Sequence, residues 1–303
     1  MKYLSGMTYK KLSLFSILAF FLIMDCLPLH AQNNPHQLKR IVLDAGHGGK
    51  DIGTPHFQLS MDEKDITLAI VLKLGKIIQD SMPEMQVIYV RKTDVYYTPA
   101  EHHEIANKAN GDLFISVHVN STAGRRIRVP SGYHYVGKGK HRRRVRSYTT
   151  VTRREATAAS GTETYVLGLH RNPQKSKAIE NYSETATDEP GMLDANDPTT
   201  QILVAQYTQT FLSRSIDFAS LVEQNLAKSG RNSNGVKQKG LEVLAGSAMP
   251  GVLIETGFIN NPEDEKYLNS ETGQQQIAMA IYRAIKSYKA NLARKVKVTT
   301  VQN

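Results

Sequence analysis

Residues 41–49 read IVLDAGHGG, and the fold that the sequence predicts depends on this stretch. A short apolar run ends at Asp44, and a glycine-rich loop that contains His47 follows directly. This pattern is typical of a buried strand that delivers a loop at its carboxyl end, which is the edge where open α/β sheets build their sites. We therefore expect His47 to lie at a functional edge of a central sheet.

Outward from this stretch, predicted strands and helices alternate along the chain. The expected helices cover about 62–80, from Thr98 to the glycine at 111, 199–228 and 272–291. The expected further strands cover 85–91, 113–118, 162–169 (an edge or hairpin strand), 241–244 and 252–255. This alternation predicts a single α/β domain with a mixed, mostly parallel sheet and helices on both faces.

Two segments interrupt the alternation, and we interpret both as inserts. The basic insert covers residues 121–160, and its part from 121 to 154 contains eleven Lys or Arg and no Asp or Glu. We expect it to be a long basic loop or an inserted ribbon. The acidic insert covers residues 171–198. Both are longer than ordinary connections within a compact domain, which points to a function for each.

The N-terminus has the pattern of a secretory signal peptide over residues 1–31, with lysines ahead of a short apolar run. That run is too short to span a bilayer comfortably, so we expect no transmembrane span in the mature chain. The protein is predicted to be exported to the periplasm or cell envelope. Lipid anchoring at Cys26 is the less favoured alternative. The remaining predicted segments are a linker (32–38), a catalytic domain (39–292) and a tail (293–303).

The composition restricts the classes of partner and chemistry. The 303 residues include 38 Lys or Arg against 28 Asp or Glu, a formal charge of +10, which favours anionic partners. Export argues against nucleic acid among them, and no aromatic residues are patterned as in an RNA-binding sheet. Cys26 is the only cysteine, which excludes an intrachain disulfide framework and a cysteine-ligated metal site.

Four polar residues fall where the predicted elements would bring them to one edge of the sheet. They are His47 after the first strand, Glu63 at the start of the first helix, His118 at the end of a central strand, and Glu255 at the end of a late strand. Hydrolytic zinc needs three nitrogen or oxygen ligands, an open position for water, and a carboxylate nearby to move protons. The four residues together supply such a set.

Each of these residues also has a structural alternative. Glu63 could close a capping box with Ser60. His47 could belong to a phosphate-binding turn, although the spacing fits neither common phosphate motif. A lone His118 would more often be a core histidine, and Glu255 could be a buried ion-pair partner. Because all four occur in one chain, a single metal site is the favoured interpretation.

Five motifs resemble, in order, those of zinc-dependent N-acetylmuramoyl-L-alanine amidases of the bacterial cell-separation type. The motifs are DAGHGGKDIG (44–53), EKD (63–65), SVHVN (116–120), GTETY (161–165) and ETGFINN (255–261). The resemblance extends from about residue 39 to residue 292. One departure is His102, since the family pattern usually has arginine five residues before Asn107, and this puts a supporting ion pair in doubt.

The resemblance implies a reaction and a set of roles. His47, Glu63 and His118 would bind one Zn²⁺ per chain, Glu255 would be the catalytic carboxylate, and Glu163 a second catalytic acid near the metal. The implied reaction is hydrolysis of the amide bond between N-acetylmuramic acid and L-alanine in peptidoglycan, for cell-wall remodelling or daughter-cell separation. A zinc peptidase that acts on stem peptides is one alternative. A catalytically silent wall-binding module is another.

The inserts carry two further hypotheses. Arg142, Arg143 and Arg144 of the basic insert are candidates for binding anionic wall polymer, lipid headgroups or acidic stem peptides, with a solvated loop as the alternative. Family analogy suggests that Glu180 or Glu184 of the acidic insert lies over the zinc as an autoinhibitory lid, which a protein activator would lift. A disordered acidic linker fits the composition equally well.

Overall fold

The computed structural model describes residues 38–186 and 197–301 of the chain. The predicted signal peptide, the alternative lipid site at Cys26 and nearly all of the predicted linker lie outside the described residues. In the described part, the strands are β1 (Arg40–Ala45), β2 (Gln86–Tyr89), β3 (Leu113–Asn120), β4 (Arg125–Val136), β5 (Arg143–Arg153), β6 (Thr162–Leu167), β7 (Ser233–Lys239) and β8 (Gly251–Phe258).

The helices of the described part lie between these strands and after the last one. They are α1 (Glu63–Ser81), α2 (Pro99–Lys108), α3 (Asn172–Ala186), α4 (Pro198–Lys228), α5 (Glu242–Ala245), α6 (Pro262–Leu268) and α7 (Glu271–Val301). The last helix therefore continues past the expected end of the catalytic domain at 292. No helix in 38–186 or 197–301 combines the length and apolar character needed to cross a bilayer.

A six-stranded sheet forms the centre of the fold, in the order β2-β1-β3-β8-β6-β7. Neighbouring strands run parallel, except that β6 is antiparallel to β8. The carboxyl ends of β1, β3 and β8 consequently meet at one edge. This is the mixed, mostly parallel sheet that the sequence predicts.

Helices cover both faces of the sheet, and each face has its own apolar cluster. On one face, α1, α4 and α7 pack through side chains such as Ile70 and Phe218, which are fully buried. On the other face, α2 and α5 cover part of the sheet around Phe114 and Leu253. The strand interiors are apolar on both sides because parallel strands are buried on both faces.

Two strand predictions are wrong. Residues 241–244 were expected to form a strand, but Leu241 precedes the short helix α5, and Leu244 packs with the second apolar cluster. The strand of this region is instead β7, whose side chains are mostly exposed because it lies at the edge of the sheet. A polar edge strand lacks the apolar alternation that identifies strands in a sequence. In turn, β6 is not an edge strand, since it lies between β8 and β7.

The basic insert forms a two-stranded antiparallel ribbon of β4 and β5, separate from the central sheet. We call this hairpin, residues 125–153, the ribbon. Of the two forms that the sequence allowed, a loop or a ribbon, the second is the one observed.

The acidic insert begins with helix α3, and residues 187–196 lie outside the described residues. The Lys175 ammonium of α3 donates hydrogen bonds to the backbone oxygens of Leu244 (3.0 Å) and Met249 (2.7 Å). This half of the insert is thus a packed part of the domain.

Candidate metal centre

The glycine-rich loop after β1 holds His47 in a left-handed backbone conformation. Its φ is 64°, a value that residues other than glycine seldom adopt and that is often found at functional sites. The ring Nδ1 lies 2.8 Å from Asp51 Oδ2, and Nε2 lies 3.2 Å from Glu63 Oε1. A proton on Nδ1, donated to Asp51, leaves the Nε2 lone pair free to bind a metal. Metal-binding imidazoles are commonly oriented by a carboxylate in this way.

Gly53 allows His47 and Glu63 to approach each other. Its φ is also 64°, and a Cβ atom at this position would come within 2.6 Å of the His47 ring and 2.7 Å of Glu63 Oε2. Any side chain here would push one of the two candidate ligands away. The site therefore requires glycine at position 53.

Glu63 is the first residue of α1, and its carboxylate is held by two backbone amides. The Thr54 N–H donates to Oε2 at 2.7 Å, and the Val119 N–H donates to Oε1 at 3.0 Å. The alternative role as a capping partner of Ser60 is not observed, since the helix cap is Asp62, whose N–H donates to Asp65 Oδ2. Glu63 is thus free for the site.

His118, near the end of β3, completes a cluster of three candidate ligands. Its Nδ1 lies 3.0 Å from Glu63 Oε1, and its ring meets that of His47 edge-on with the centroids 4.9 Å apart. Ligand atoms of His47, Glu63 and His118 all lie within 4.8 Å of one another. The sequence prediction that these three residues converge is confirmed.

The charges of the cluster fit a cation. Burial acts against it, but hydrogen bonds and charge interactions with Glu63 and Asp51 raise the pKa of His47 to about 9. Burial alone would raise the pKa of Glu63, but the imidazoles of His118 and His47 lower it. The Glu63 carboxylate therefore attracts positive charge to the point where the three residues meet. Two imidazole nitrogens and one carboxylate oxygen form a donor set typical of hydrolytic zinc sites.

Three polar residues form a row across neighbouring strands beside the cluster. His118 on β3 is directly opposite Glu255 on β8, which is directly opposite Glu163 on β6. Glu255 Oε2 is buried and has no hydrogen-bond partner in the described part of the chain. Burial raises the pKa of Glu255 to about 7, and the charges of Glu63 and Glu163 act in the same direction. Glu255 thus has a buried carboxylate oxygen without a partner in the described residues, beside the three candidate metal ligands. Such an oxygen is suited to receive a proton from a bound molecule.

Glu163 has the opposite environment, although it is the cross-strand neighbour of Glu255. Its carboxylate accepts hydrogen bonds from Lys237 Nζ (2.6 Å), the Tyr165 hydroxyl (2.6 Å) and Asn120 Nδ2 (3.2 Å). Burial opposes the effect, but the bonds from Lys237 and Tyr165 lower the pKa of Glu163. The structure places Glu163 beside the site as the sequence predicts, in surroundings that favour its ionised form.

Arg91 supports the loop that carries His47. Its buried guanidinium donates to the backbone oxygens of Ala45 (2.9 Å), Gly46 (3.1 Å) and Lys64 (2.8 Å). It therefore ties the end of β1 to the start of α1, so that His47 and Glu63 keep their separation.

His102, which departs from the family pattern, still forms a supporting contact. His102 Nδ1 lies 2.7 Å from Asp44 Oδ1, and the Ser116 hydroxyl donates to the other oxygen of Asp44 at 2.6 Å. Both residues of the first pair are buried. Histidine thus takes the place at which the family pattern has arginine.

Three supporting residues were missed by sequence reasoning. Asp51 could have been found, because it stands four residues after His47 in the same turn. Lys237 had no signal, since its strand was not recognised. Glu265, on α6, accepts hydrogen bonds at one oxygen from the backbone amides of three consecutive residues of the loop before Glu63: Phe57 (2.7 Å), Gln58 (2.8 Å) and Leu59 (3.0 Å).

Glu180 of the acidic insert is not brought to the metal centre. Helix α3 carries Glu180 and runs along the amino ends of the strands, where Lys175 bonds to Met249 just before β8 begins. The metal cluster lies at the opposite edge, so Glu180 does not form a lid over it. Glu184 belongs to the same helix, and its side chain lies outside the described residues.

The candidate arginines of the basic insert lie at the far end of the ribbon and are exposed. Arg142 and Arg144 stack over Tyr135 and Tyr133, with 4.6 Å and 3.6 Å from the guanidinium carbon to the ring centroids. Because side chains alternate between the faces of a strand, Arg143 lies on the other face. The three arginines therefore do not form one patch.

Comparison with known proteins finds relatives over most of the chain. A sequence model of the N-acetylmuramoyl-L-alanine amidase family matches residues 41–287. The N-acetylmuramoyl-L-alanine amidase AmiC of Escherichia coli is 29% identical over 257 residues, which cover 83% of this chain and 53% of AmiC. The chain thus spans about half the length of that relative.

Solved structures show the same fold. An N-acetylmuramoyl-L-alanine amidase of Clostridium difficile 630 matches with a TM-score of 0.56 and 23% identity, over 83% of this chain and 97% of that one. The CwlD amidase of Clostridioides difficile, solved in complex with the GerS lipoprotein, matches with a TM-score of 0.55 and 24% identity, over 83% and 98% of the two chains.

Proposed function

Since this chain belongs to the N-acetylmuramoyl-L-alanine amidase family, whose reaction is hydrolysis of the amide bond between N-acetylmuramic acid and L-alanine in peptidoglycan, we propose that it carries out this reaction as a zinc enzyme. His47 Nε2, the Glu63 carboxylate and His118 Nδ1 would hold the ion. When bound, Zn²⁺ supplies a Lewis acid that acidifies water and polarises a carbonyl group. The observation that carries the proposal is the unpartnered oxygen of Glu255 beside these three residues.

Glu255 is assigned the proton transfers. Its Oε2 has no hydrogen bond to give up in the described part of the chain, so it can accept a proton from the attacking water. The same carboxyl can then donate that proton to the departing nitrogen of L-alanine. The glycan keeps the lactyl carboxylate, and the stem peptide leaves with a free amine.

Glu163 is assigned a positioning role. It stays ionised through its contacts with Lys237 and Tyr165, and its charge lies across the strand pair from Glu255. The negative charge of Glu163 opposes ionisation of the Glu255 carboxyl group and so raises its pKa. Glu163 also anchors Asn120 at the end of β3, next to His118.

The variant Glu255→Gln tests this assignment. It should retain its zinc and lose hydrolysis of purified sacculi by at least about a hundredfold, because the amide cannot take a proton. Glu104→Gln, an exposed glutamate on α2, is the matched control and should behave as the parent does. Zinc content measured by mass spectrometry distinguishes loss of metal from loss of proton transfer, and loss of zinc in Glu255→Gln would contradict the assigned role.

The products separate the amidase from a zinc peptidase. An amidase releases intact stem peptides that begin with a free L-alanine amine, whereas a peptidase releases peptide fragments. Mass analysis of the soluble products from sacculi distinguishes the two. A wall-binding module without catalysis would release neither.

The cellular setting is also part of the proposal. The pattern of residues 1–31 supports export and cleavage of a signal peptide, which the mass of the mature protein would test. A protein activator fits the example of CwlD, a relative in fold that was solved with a lipoprotein. Deleting residues 187–196, which spares the packed helix α3, should raise hydrolysis if this segment is inhibitory, and an unchanged rate would end that idea.

A further inference from the structure

The ribbon presents two chemically different faces. On one, which we call the arginine–tyrosine face, lie Arg128, Tyr133, Tyr135, Arg144, Arg146 and Tyr148. The strand register places Tyr133 opposite Arg146 and Tyr135 opposite Arg144. The other face carries aliphatic side chains, including Val145 and Val151, together with Arg143 and Arg153. Basic residues occur on both faces, but aromatic residues occur only on the first.

The arginines of this face are held in place by the tyrosine rings. The guanidinium carbon of Arg144 lies 3.6 Å from the Tyr133 ring centroid, and that of Arg146 lies 5.8 Å from the same ring. Arg128 lies over Tyr148 at 5.2 Å. Cation–π contacts of this kind reduce the freedom of long side chains, so less entropy is lost when the guanidinium groups bind an anion.

The described part of the chain contains no ion pair that neutralises the positive charge of the ribbon. No carboxylate lies within ion-pair distance of a ribbon arginine in residues 38–186 and 197–301. The three tyrosines are about half exposed, with 51%, 59% and 47% of their surface accessible for Tyr133, Tyr135 and Tyr148. Guanidinium groups bind carboxylates in bidentate fashion, and exposed aromatic rings pack against apolar surfaces of a ligand. The face is therefore suited to a ligand that carries repeated carboxylates.

Both ends of the ribbon are attached next to the metal centre. Asn120, which precedes it, donates to Glu163. Asn260, which follows β8 and its Glu255, donates to the Thr122 hydroxyl at 2.7 Å and to the Glu155 backbone oxygen at 2.9 Å. A strand of twelve residues extends about 35–40 Å, so the ribbon provides a long binding surface that starts at the rim of the site.

We propose that the arginine–tyrosine face binds the peptidoglycan strand itself, through the carboxylates of its stem peptides, and holds the polymer beside the metal centre. This inference rests on the proposed function. It makes the ribbon a second binding surface for the same polymeric substrate, which raises the effective concentration of scissile bonds at the site.

A lipid surface is the less favoured partner. The two strands form an isolated pair, so each has one edge whose backbone amides and carbonyls are not paired within the ribbon. Such an edge is unfavourable inside a bilayer. Carboxylates in water, by contrast, can be bound without burying either edge.

The test compares two double variants that remove the same charge from opposite faces. Arg144→Gln with Arg146→Gln alters the arginine–tyrosine face, and Arg143→Gln with Arg153→Gln is the matched control. Each is made in the full-length protein with Glu255→Gln added, so that sacculi stay intact during binding. Thermal unfolding of every protein confirms that the fold is retained.

We expect the first double variant to bind purified sacculi about tenfold more weakly, and the control to bind nearly as the parent does. In the active background, the ratio of sacculus hydrolysis to hydrolysis of a soluble disaccharide-peptide should fall by a similar factor for the first variant only. The parent's binding should also weaken as salt is raised, because the contacts are ionic.

Three outcomes would overturn the proposal. The first is equal binding to sacculi by both double variants and the parent, and the second is an equal loss of sacculus binding in both double variants. The third, from a parallel measurement with anionic phospholipid vesicles, is a loss of binding to the vesicles alone. The proposed function fails separately. If the zinc-loaded parent does not cleave the soluble disaccharide-peptide, the reaction is wrong, while the sacculus-binding comparison still reports on the ribbon.

Discussion

Glu163 and Glu255 lie directly opposite each other on antiparallel strands, yet their carboxylates have opposite surroundings. Glu163 accepts hydrogen bonds from Lys237, Tyr165 and Asn120, while Glu255 Oε2 accepts none in the described residues. Neighbouring acids whose pKa values are driven apart in this manner can take different roles in one reaction. This contrast supports the proposed division of roles, with proton transfer at Glu255 and a negative charge favoured at Glu163.

Replacing Glu163 with Gln should slow hydrolysis without removing the metal. The substitution leaves the Lys237 ammonium without its carboxylate and removes a charge that opposes ionisation of Glu255. We expect the rate on sacculi to fall about tenfold, which corresponds to about 1.4 kcal/mol in the barrier. Tyr165→Phe, which removes one hydrogen bond and no charge, should have a smaller effect. Equal rates for Glu163→Gln and the parent would contradict the role.

Replacing Asp51 with Asn should weaken zinc binding. Asp51 fixes the His47 ring through Nδ1, and changing such a partner of a metal-binding histidine typically lowers metal affinity 10- to 100-fold. Competition with a chelator measures the affinity, and circular dichroism confirms the fold. Asp80→Asn, which alters an exposed ion pair on the same helix as Glu63, is the control. Unchanged affinity in Asp51→Asn would show that Asp51 does not orient the ligand.

Replacing Glu265 with Gln should destabilise the loop that leads to Glu63. One oxygen of the buried carboxylate accepts three backbone amides there, and Gln replaces this charged acceptor with a neutral one, which forms weaker hydrogen bonds. We expect the free energy of unfolding to fall by about 2 kcal/mol, as measured by urea denaturation. Glu271→Gln, on the exposed surface of α7, should change it by less than about 0.5 kcal/mol. A similar small change in both variants would show that the three hydrogen bonds to Glu265 do not stabilise this loop.

Lys175 should make stability depend on pH in the alkaline range. Its ammonium is buried among the backbone oxygens of Leu244 and Met249 and the Ser247 hydroxyl, and burial lowers its pKa to about 7. The unfolded chain keeps a pKa of about 10.4 for lysine, so between these values it binds more protons than the folded state. The free energy of unfolding therefore rises with pH, by at most about 1.4 kcal/mol per unit.

Lys175→Met removes this titration. The difference in unfolding free energy between parent and variant should rise in favour of the parent from pH 7 to about 9.5. Urea denaturation at several pH values measures the difference, and Lys177→Met, an exposed lysine of the same helix, should show no such trend. A difference that stays flat or falls with pH would refute the buried titration.

The sequence predicted that the three candidate ligands lie together because each of them stands next to a strong local signal. His47 follows an apolar strand, His118 lies near the end of another, and Glu63 opens an amphipathic helix. The hydrogen-bond partners of Glu163 and Glu265 could not be predicted in the same way. Lys237 lies on a polar edge strand that lacks alternating apolar and polar residues. The hydrogen bonds of Glu265 join residues about 200 positions apart in the chain. Such contacts depend on the assembled sheet, which local patterns do not encode.

The inserts show the same limit. A count of basic residues identified Arg142, Arg143 and Arg144 as one group, but strand alternation separates Arg143 from the other two. Family analogy suggested a lid in 171–198, whereas the contacts of Lys175 place helix α3 at the other edge of the sheet. Composition reports charge, and only the packing determines where that charge lies.

No ribbon side chain belongs to either apolar cluster in the described part of the chain. Mutations near its tip can therefore accumulate without loss of the enzyme's core architecture. Evolution can exchange this appendage as a cassette, and so can an engineer who wishes to redirect an amidase to a different cell envelope while leaving its hydrolytic machinery intact.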